Sequence, residues 1–225
     1  MISSYTPSLG ALIPSNLTAE STGKTEGKHL LAIAITDTLP GTKREISAIE
    51  KCLTGTNIKL EKLVDGDATA ASVLERMKNA NWVHFCCHGT QNLDSPTESA
   101  LLLTGGERLM LSDIIRVVLP KAELAFLSAC QTATGDSALP AESLHLAAGM
   151  MLAGFKSVVA TMWSINDQDA PKVAEDVYGR LVEQMGEGRE RFDAASALHF
   201  AIEILRKQVG EDDYLSWIPF IHIGS

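Results

Sequence analysis

The feature that most constrains this fold is the alternation of short apolar runs with segments of helical spacing. From residue 29 onward the runs are HLLAIAIT, IKLEKLV, WVHFCC, ELAFLSAC and KSVVATMW. These runs are predicted strands, and a continuous apolar run such as HLLAIAIT is typical of a strand buried on both faces of a sheet. The intervening segments place apolar residues three or four positions apart, as at Ile46, Ile49 and Leu53, which predicts helices. Together they predict an α/β fold with a mostly parallel sheet of about six strands, flanked by helices.

Several smaller features complete this predicted architecture. The segment SALLLTGGERLML predicts a small hairpin that turns at Thr104–Gly106. Helical patterns run from about residue 168 to 185 and from 192 to 208. The closing segment WIPFIHIG predicts a last strand, which Pro219 places at a sheet edge. Asp67 is the expected cap of the helix that follows the second strand.

The chain divides into an arm and one domain. Residues 1–28 are rich in Ser, Thr, Pro and Gly, which predicts an N-terminal arm or linker with one apolar patch at Leu9–Ile13. Residues 29–225 show neither an internal repeat nor a second core pattern, so they are expected to form a single α/β domain.

Composition narrows the expected partners and compartment. The chain has 19 basic and 28 acidic residues and a net charge of −9, which argues against a nucleic-acid partner. Its apolar runs are too short to span a membrane, and its first residues do not form a secretory signal. Adjacent Cys86 and Cys87 would point to opposite faces of a strand, which disfavours a disulfide framework. We therefore expect a reducing, cytoplasmic location.

Two chemically capable residues lie at predicted strand ends. His88 closes the third strand, and Cys130 closes the fourth. Reactive groups of open parallel sheets gather beyond the carboxyl ends of the strands. If these strands are neighbours, the His88 imidazole faces the Cys130 thiol and can take its proton, as a thiol nucleophile requires. The N–H groups of Gly89 and Cys130 could then hold the oxyanion.

Plainer interpretations stand beside this one. A cysteine at a strand end, such as Cys130, is often a small buried apolar residue. His84, Cys86 and Cys87 lie within the third strand, where packing is the simpler role. The spacing of paired C-x2-C ligands that zinc sites use does not occur, and TGKTEGK lacks the frame of a phosphate-binding loop. We therefore predict neither a metal nor another cofactor.

The segments HFCCHG, LSACQTATG and AESLHLAAGMMLAGFKSVVATMWSINDQDA resemble the CHAT domain family, caspase-like cysteine proteases of the caspase, separase and gingipain clan. The similarity runs from about His29 to the C-terminus. It implies a three-layer caspase-hemoglobinase fold, with His88 as the catalytic histidine and Cys130 as the nucleophile. The caspase signature Q-A-C-[RQG]-G is only partly kept, because Ser128 and Thr132 stand at its flanks. A caspase-like preference for aspartate is therefore not implied.

The resemblance also suggests where a substrate would bind. In caspase-like folds, the loop corresponding to MWSINDQD lines the primary specificity pocket. Trp163 and Ser164 would form a wall of that pocket, and Asp167, or its neighbour Asp169, would bind a basic side chain. Asp136, in the loop after Cys130, is another candidate pocket acid. Asp167 has the alternative role of capping the following helix.

Two functions remain open from the sequence. The first is a cysteine endopeptidase that cleaves proteins or peptides through a Cys-His dyad and an acyl-enzyme, regulated by a partner or an activation event. The second is a caspase-like binding module with an idle dyad. The segment SYTPSLGAL resembles the sequence that precedes these domains behind helical repeats, so a regulatory protein or an N-terminal repeat domain is a possible partner.

Overall fold

The computed structural model describes residues 4–5, 27–90, 92, 94–128, 143–163, 165–166, 168–186 and 192–224. The strands in these ranges are β1 (His29–Ala34), β2 (Lys59–Val64), β3 (Trp82–Cys86), β4 (His88–Thr90), β5 (Ala100–Leu102), β6 (Arg108–Met110), β7 (Leu124–Ser128), β8 (Ser157–Thr161) and β9 (Phe220–Gly224). The helices are α1 (Gly41–Leu53), α2 (Ala70–Met77), α3 (Leu111–Arg116), α4 (Ser143–Leu152), α5 (Asp169–Gly186), α6 (Ala194–Val209) and α7 (Tyr214–Trp217).

The main sheet has six strands in the order β2-β1-β3-β7-β8-β9. Its first five strands are parallel, and β9 pairs antiparallel with β8 at the edge. A second sheet of three short antiparallel strands, β4-β5-β6, contains the predicted hairpin. The predicted mostly parallel sheet, the hairpin and the edge strand after Pro219 are thus confirmed.

Helices cover both faces of the main sheet, because successive strand residues point to opposite sides. One face carries Val83 and Phe85, which pack with α2, α3 and α4 in one buried cluster. The other carries Trp82 and Phe126, which pack with α1, α5 and α6. The predicted three-layer arrangement is confirmed.

Two local predictions were wrong. The third strand ends at Cys86, and His88 starts β4, because the chain leaves the main sheet after Cys86 to pair with the hairpin. Helix α2 is capped by Thr69 and not by Asp67. The Thr69 hydroxyl accepts a hydrogen bond from the amide of Ser72 at 3.2 Å, while Asp67 ends a short 3₁₀ turn.

Only a small part of the predicted arm is described. Ser4 and Tyr5 lie beside β9, where Tyr5 forms a parallel bridge with Ile223. Residues 6–26, with the apolar patch at Leu9–Ile13, lie outside the described residues. None of the described helices has the length and apolar character needed to cross a lipid bilayer.

Candidate active site at the carboxyl edge of the sheet

The centre of this edge is formed by β3 and β7, which are parallel neighbours. Cys86 at the end of β3 lies opposite Ser128 at the end of β7. In the sequence, His88 follows the end of β3 by two residues, and Cys130 follows the end of β7 by two residues. Cys130 itself lies outside the described residues, so its distance from His88 stays a prediction. Asp136 lies in the same segment, 129–142.

The short strand β4 fixes the backbone of His88. His88 pairs with Leu102 of β5, and Gly89 pairs with Leu101. The His88 side chain is partly exposed, but its Nδ1 atom is buried and has no hydrogen-bond partner among the described residues. The ring is therefore held on a defined backbone while Nδ1 is not used by the described part of the fold.

The backbone N–H of Gly89 is directed out of the small sheet. The amide of Leu103 donates to the carbonyl of Glu107 at 2.8 Å, so the odd-numbered residues of β5 turn their backbone groups toward β6. The even-numbered residues of β5 therefore turn their backbone N–H and C=O groups toward β4, where they pair with His88 and Thr90. Backbone groups alternate in direction along a strand, so Gly89, between His88 and Thr90, directs its N–H away from β5. This orientation suits a donor to a bound oxyanion.

The loop after β8 runs beside α7. The amide of Met162 donates to the carbonyl of Pro219 at 2.8 Å, and Trp163 Nε1–H donates to the carbonyl of Leu215 at 3.4 Å. These contacts hold the partly buried Trp163 against the segment before β9. Ser164 and Asp167, the other predicted pocket residues of this loop, lie outside the described residues.

Asp169 is turned inward. It begins α5 and is only 9% exposed. Burial raises the pKa of this carboxyl, the nearby Asp213 raises it further, and a hydrogen bond with Ser216 acts in the opposite direction. At the start of the same helix, the Asn166 side chain accepts the amide of Gln168 at 3.0 Å. The contact of Asp169 with Ser216 joins α5 to α7, and it favours a structural role for Asp169 over the open pocket acid considered from the sequence.

His84 belongs to a polar network that sequence analysis did not identify. Its Nε2 lies 3.1 Å from Glu45 Oε1, and its Nδ1 lies 3.1 Å from the Tyr178 hydroxyl. His84 and Cys86 are both fully buried. The Cys86 sulfur, a ring nitrogen of His84 and a carboxylate oxygen of Glu45 all lie within 4.8 Å of one another, close enough to be considered as metal ligands. Both ring nitrogens are already used in hydrogen bonds, so this geometry favours packing over metal binding. The burial expected for His84 and Cys86 is confirmed, and the expected lack of a metal stays a prediction.

The other described thiols are poor candidates for a nucleophile. Cys86 and Cys87 are fully buried, and neither forms a disulfide with a described cysteine. Cys52 lies on α1, where its thiol donates to the carbonyl of Glu175 at 3.4 Å. Burial, followed by the charge of Glu175, raises the pKa of the Cys52 thiol. A raised pKa lowers the thiolate fraction and with it the reactivity.

Comparison with protein families gives one match that covers almost the whole chain. The model of the CHAT domain matches residues 8–225. No curated protein sequence matches.

Solved structures give the same fold. The Arg-specific cysteine proteinase gingipain R superposes with a TM-score of 0.64 at 14% identity, over 88% of this chain and 46% of that one. The separase–securin complex of Saccharomyces cerevisiae gives 0.57 at 15% identity, over 88% and 12%. The complex of the pro- and mature domains of RgpB from Porphyromonas gingivalis gives 0.55 at 11% identity, over 88% and 47%. The chain thus has a caspase-like fold and spans less than half the length of each of these proteins.

Proposed function

The chain belongs to the CHAT domain family, and we propose that it is a cysteine endopeptidase in which Cys130 and His88 act as a dyad on protein or peptide substrates. The observation that carries this proposal is the pairing of β3 with β7, which places Cys86 opposite Ser128. His88 and Cys130 each follow two residues after these paired positions. Because parallel neighbours end at a common edge, we expect both side chains to start from the same rim of the sheet.

The proposed reaction follows from these positions. The Cys130 thiol gives its proton to His88, and the sulfur bonds to the carbonyl carbon of the scissile peptide. His88 then returns the proton to the leaving amine as the carbon–nitrogen bond breaks. Water attacks the resulting thioester, His88 accepts its proton, and the free thiol is restored when the carboxylic acid leaves. The Nδ1 atom of His88, which has no hydrogen-bond partner among the described residues, would serve one of these contacts.

The N–H groups of Gly89 and Cys130 are the proposed donors to the oxyanion. The ladder of the small sheet supports this role for Gly89, since it directs that N–H away from β5. Backbone donors fixed in this way stabilise negative charge without having to reorganise during the reaction.

Trp163 is the proposed wall of the substrate pocket, because its contact with Leu215 holds it beside the loop that follows β8. Ser164, Asp167 and Asp136 remain proposed pocket residues. Gingipain R is described as Arg-specific. An acidic group from Asp167 or Asp136 would give this chain a similar preference for a basic side chain, since the described Asp169 is turned inward.

Regulation by a protein partner is part of the proposal. Two of the similar structures are complexes, one of separase with securin and the other of the pro- and mature domains of RgpB. A regulatory protein or an upstream repeat domain would have the corresponding role here. A reducing, cytoplasmic setting is consistent with the three described cysteines, none of which forms a disulfide with another.

Cleavage of a peptide library tests the proposal. Wild type, Cys130→Ala, His88→Ala and the matched control Cys52→Ala are compared, each with and without candidate activating proteins. We expect cleavage by wild type and Cys52→Ala, and a loss of at least about 10³-fold in the two dyad variants. Equal cleavage by all four proteins would end the dyad assignment. A Cys130 thiol that stays inert toward a peptide electrophile with every activator would favour the binding-module function.

A further inference from the structure

The outer edge of β9 is occupied by the chain's own N-terminal residues. The amide of Tyr5 donates to the carbonyl of His222, and the amide of Gly224 donates to the carbonyl of Tyr5, both at 2.9 Å. The inner edge of β9 pairs with β8. Tyr5 thus satisfies outward-facing backbone groups that would otherwise be unpaired at the border of the six-stranded sheet.

The His222 side chain reinforces this contact. It is only 3% exposed, and its Nδ1 lies 2.7 Å from Ser4 Oγ while its Nε2 lies 2.6 Å from Ser157 Oγ on β8. Ser4 Oγ also donates to the carbonyl of Gly224 at 3.0 Å. A neutral imidazole fits both serines, with Nδ1–H donating to Ser4 and the Ser157 hydroxyl donating to Nε2. His222 therefore links the N-terminal residues, β9 and β8.

A groove runs beside this edge. It has a volume of about 280 Å³ and is lined mainly by apolar side chains of α6, α7 and β9, together with His199, His222 and, from the N-terminal residues, Tyr5. The apolar lining includes Leu198, Ile202, Trp217 and Phe220. Edge backbone groups beside apolar pockets are the features by which sheets bind an added strand.

We propose that the outer edge of β9 and this groove form a docking surface for one extended peptide strand, and that its occupant is the N-terminal segment of the same chain, bound in parallel through Ser4 and Tyr5. The inference is independent of the proposed peptidase function, because it rests on the edge strand β9 and on contacts in which His88 takes no part.

Chain length supports an occupant from the same molecule. Four strand spacings separate β9 from β1, which amounts to about 19 Å at about 4.8 Å each. Residues 6–26 connect Tyr5 to the described chain at Gly27, and their fully extended length is about 70 Å. The connection is therefore long enough for Ser4 and Tyr5 to reach β9 without exchange between two molecules.

Hydrogen exchange of the chain of residues 1–225, followed by NMR, tests this docking. The variant Ser4→Ala/Tyr5→Pro removes the serine hydroxyl and the Tyr5 N–H, while the matched control Tyr5→Phe keeps both backbone contacts. We expect the Gly224 amide to exchange at least about tenfold faster in the double variant and to change little in Tyr5→Phe. Equal exchange of Gly224 in wild type and the double variant would overturn the proposal.

Two further measurements identify the occupant. Protection of Gly224 that is lost on dilution, together with a dimeric mass by light scattering, would show a strand donated by a second copy and would overturn docking within one chain.

In the second measurement, a fluorescent peptide MISSYTPSLG is added to wild type and to the double variant, with a scrambled peptide as control. We expect the double variant to bind the peptide and wild type not to, because its own segment fills the surface. Equal binding to both proteins would contradict a shared surface.

Discussion

His88 and His222 lie on different strands and have opposite environments. His88 follows a central strand, is partly exposed, and has a buried Nδ1 without a partner in the described residues. His222 lies within the edge strand, is buried, and has a serine on each ring nitrogen. The imidazole is the same in both cases, but Nδ1 of His88 is left without a partner among the described residues, whereas the His222 ring is fixed as a structural link. Position at a strand's carboxyl end, rather than residue type, therefore marks the candidate catalytic histidine.

The largest expected effect separates these two histidines by activity. His88→Ala should lower kcat/KM by at least about 10³-fold, because the proposed proton acceptor is lost. His222→Asn should leave kcat/KM within about threefold of wild type, since the described contacts of the His222 side chain are with Ser4 and Ser157 and not with His88. Steady-state cleavage of the best library peptide measures both. Comparable losses in the two variants would remove the distinction between a reactive and a structural histidine.

The buried His84 extends the comparison to stability. His84→Ala should lower the free energy of unfolding by about 3 kcal/mol, because it leaves Glu45 and the Tyr178 hydroxyl buried without their partner. Urea denaturation measures this loss. The matched control is His199→Ala on α6, whose partly exposed ring lies 3.5 Å from Glu203 and should contribute less than about 0.5 kcal/mol. Similar losses of unfolding free energy in His84→Ala and His199→Ala would contradict a stabilising role for the hydrogen bonds of His84.

His222 should make stability depend on pH in a defined window. Burial lowers the pKa of His222 from 6.5 to about 4, and the charge of Asp193 opposes this shift. Above pH 6.5 the ring is neutral in both states. As pH falls from 6.5 to 4, the unfolded chain binds a proton at this site and the folded protein does not, so the free energy of unfolding falls by up to about 3 kcal/mol.

This pH dependence is measured by urea denaturation of wild type and His222→Asn between pH 7 and pH 4. All other titratable groups are the same in both proteins, so the difference between the two curves isolates His222. We expect the variant to lose less stability over this range. Parallel curves would show that His222 is not held neutral by the fold.

The smallest expected effect concerns the cap of α2. Thr69→Ala should cost about 1 kcal/mol, because the hydroxyl that accepts the Ser72 amide is lost. Asp67→Ala, which changes the residue predicted as the cap from sequence, should cost less than half of that. Thermal denaturation of the two variants compares them. A larger loss in Asp67→Ala would restore the original assignment.

Sequence patterns predicted the elements well because their cause is local. Apolar runs and helical spacing depend on which side of a segment is buried, so the strands, the hairpin and the edge position after Pro219 could be predicted. The strand that precedes His88 was placed correctly, but its end was not. The strand ends at Cys86 because the next residues, from His88 onward, pair with β5, and that partner lies farther along the chain.

Contacts between distant parts of the sequence could not be predicted. The Glu45–His84–Tyr178 network joins α1, β3 and α5, and no single segment carries a signal for it. The pairing of Tyr5 with β9 likewise depends on the completed sheet. For the His84 network, the sequence offered one signal, the histidine within the apolar stretch of β3. That signal indicated that His84 is buried, but it did not identify Glu45 and Tyr178 as its partners.

The most direct test of the dyad is the rate at which a peptide chloromethyl ketone alkylates Cys130 at pH 7, followed by intact mass and peptide mapping. The account predicts that His88→Ala slows this alkylation at least about tenfold relative to wild type, because an adjacent imidazole raises the thiolate fraction. His222→Asn should not change the rate. Alkylation of Cys130 at the same rate in wild type and His88→Ala would contradict the pairing of these two residues.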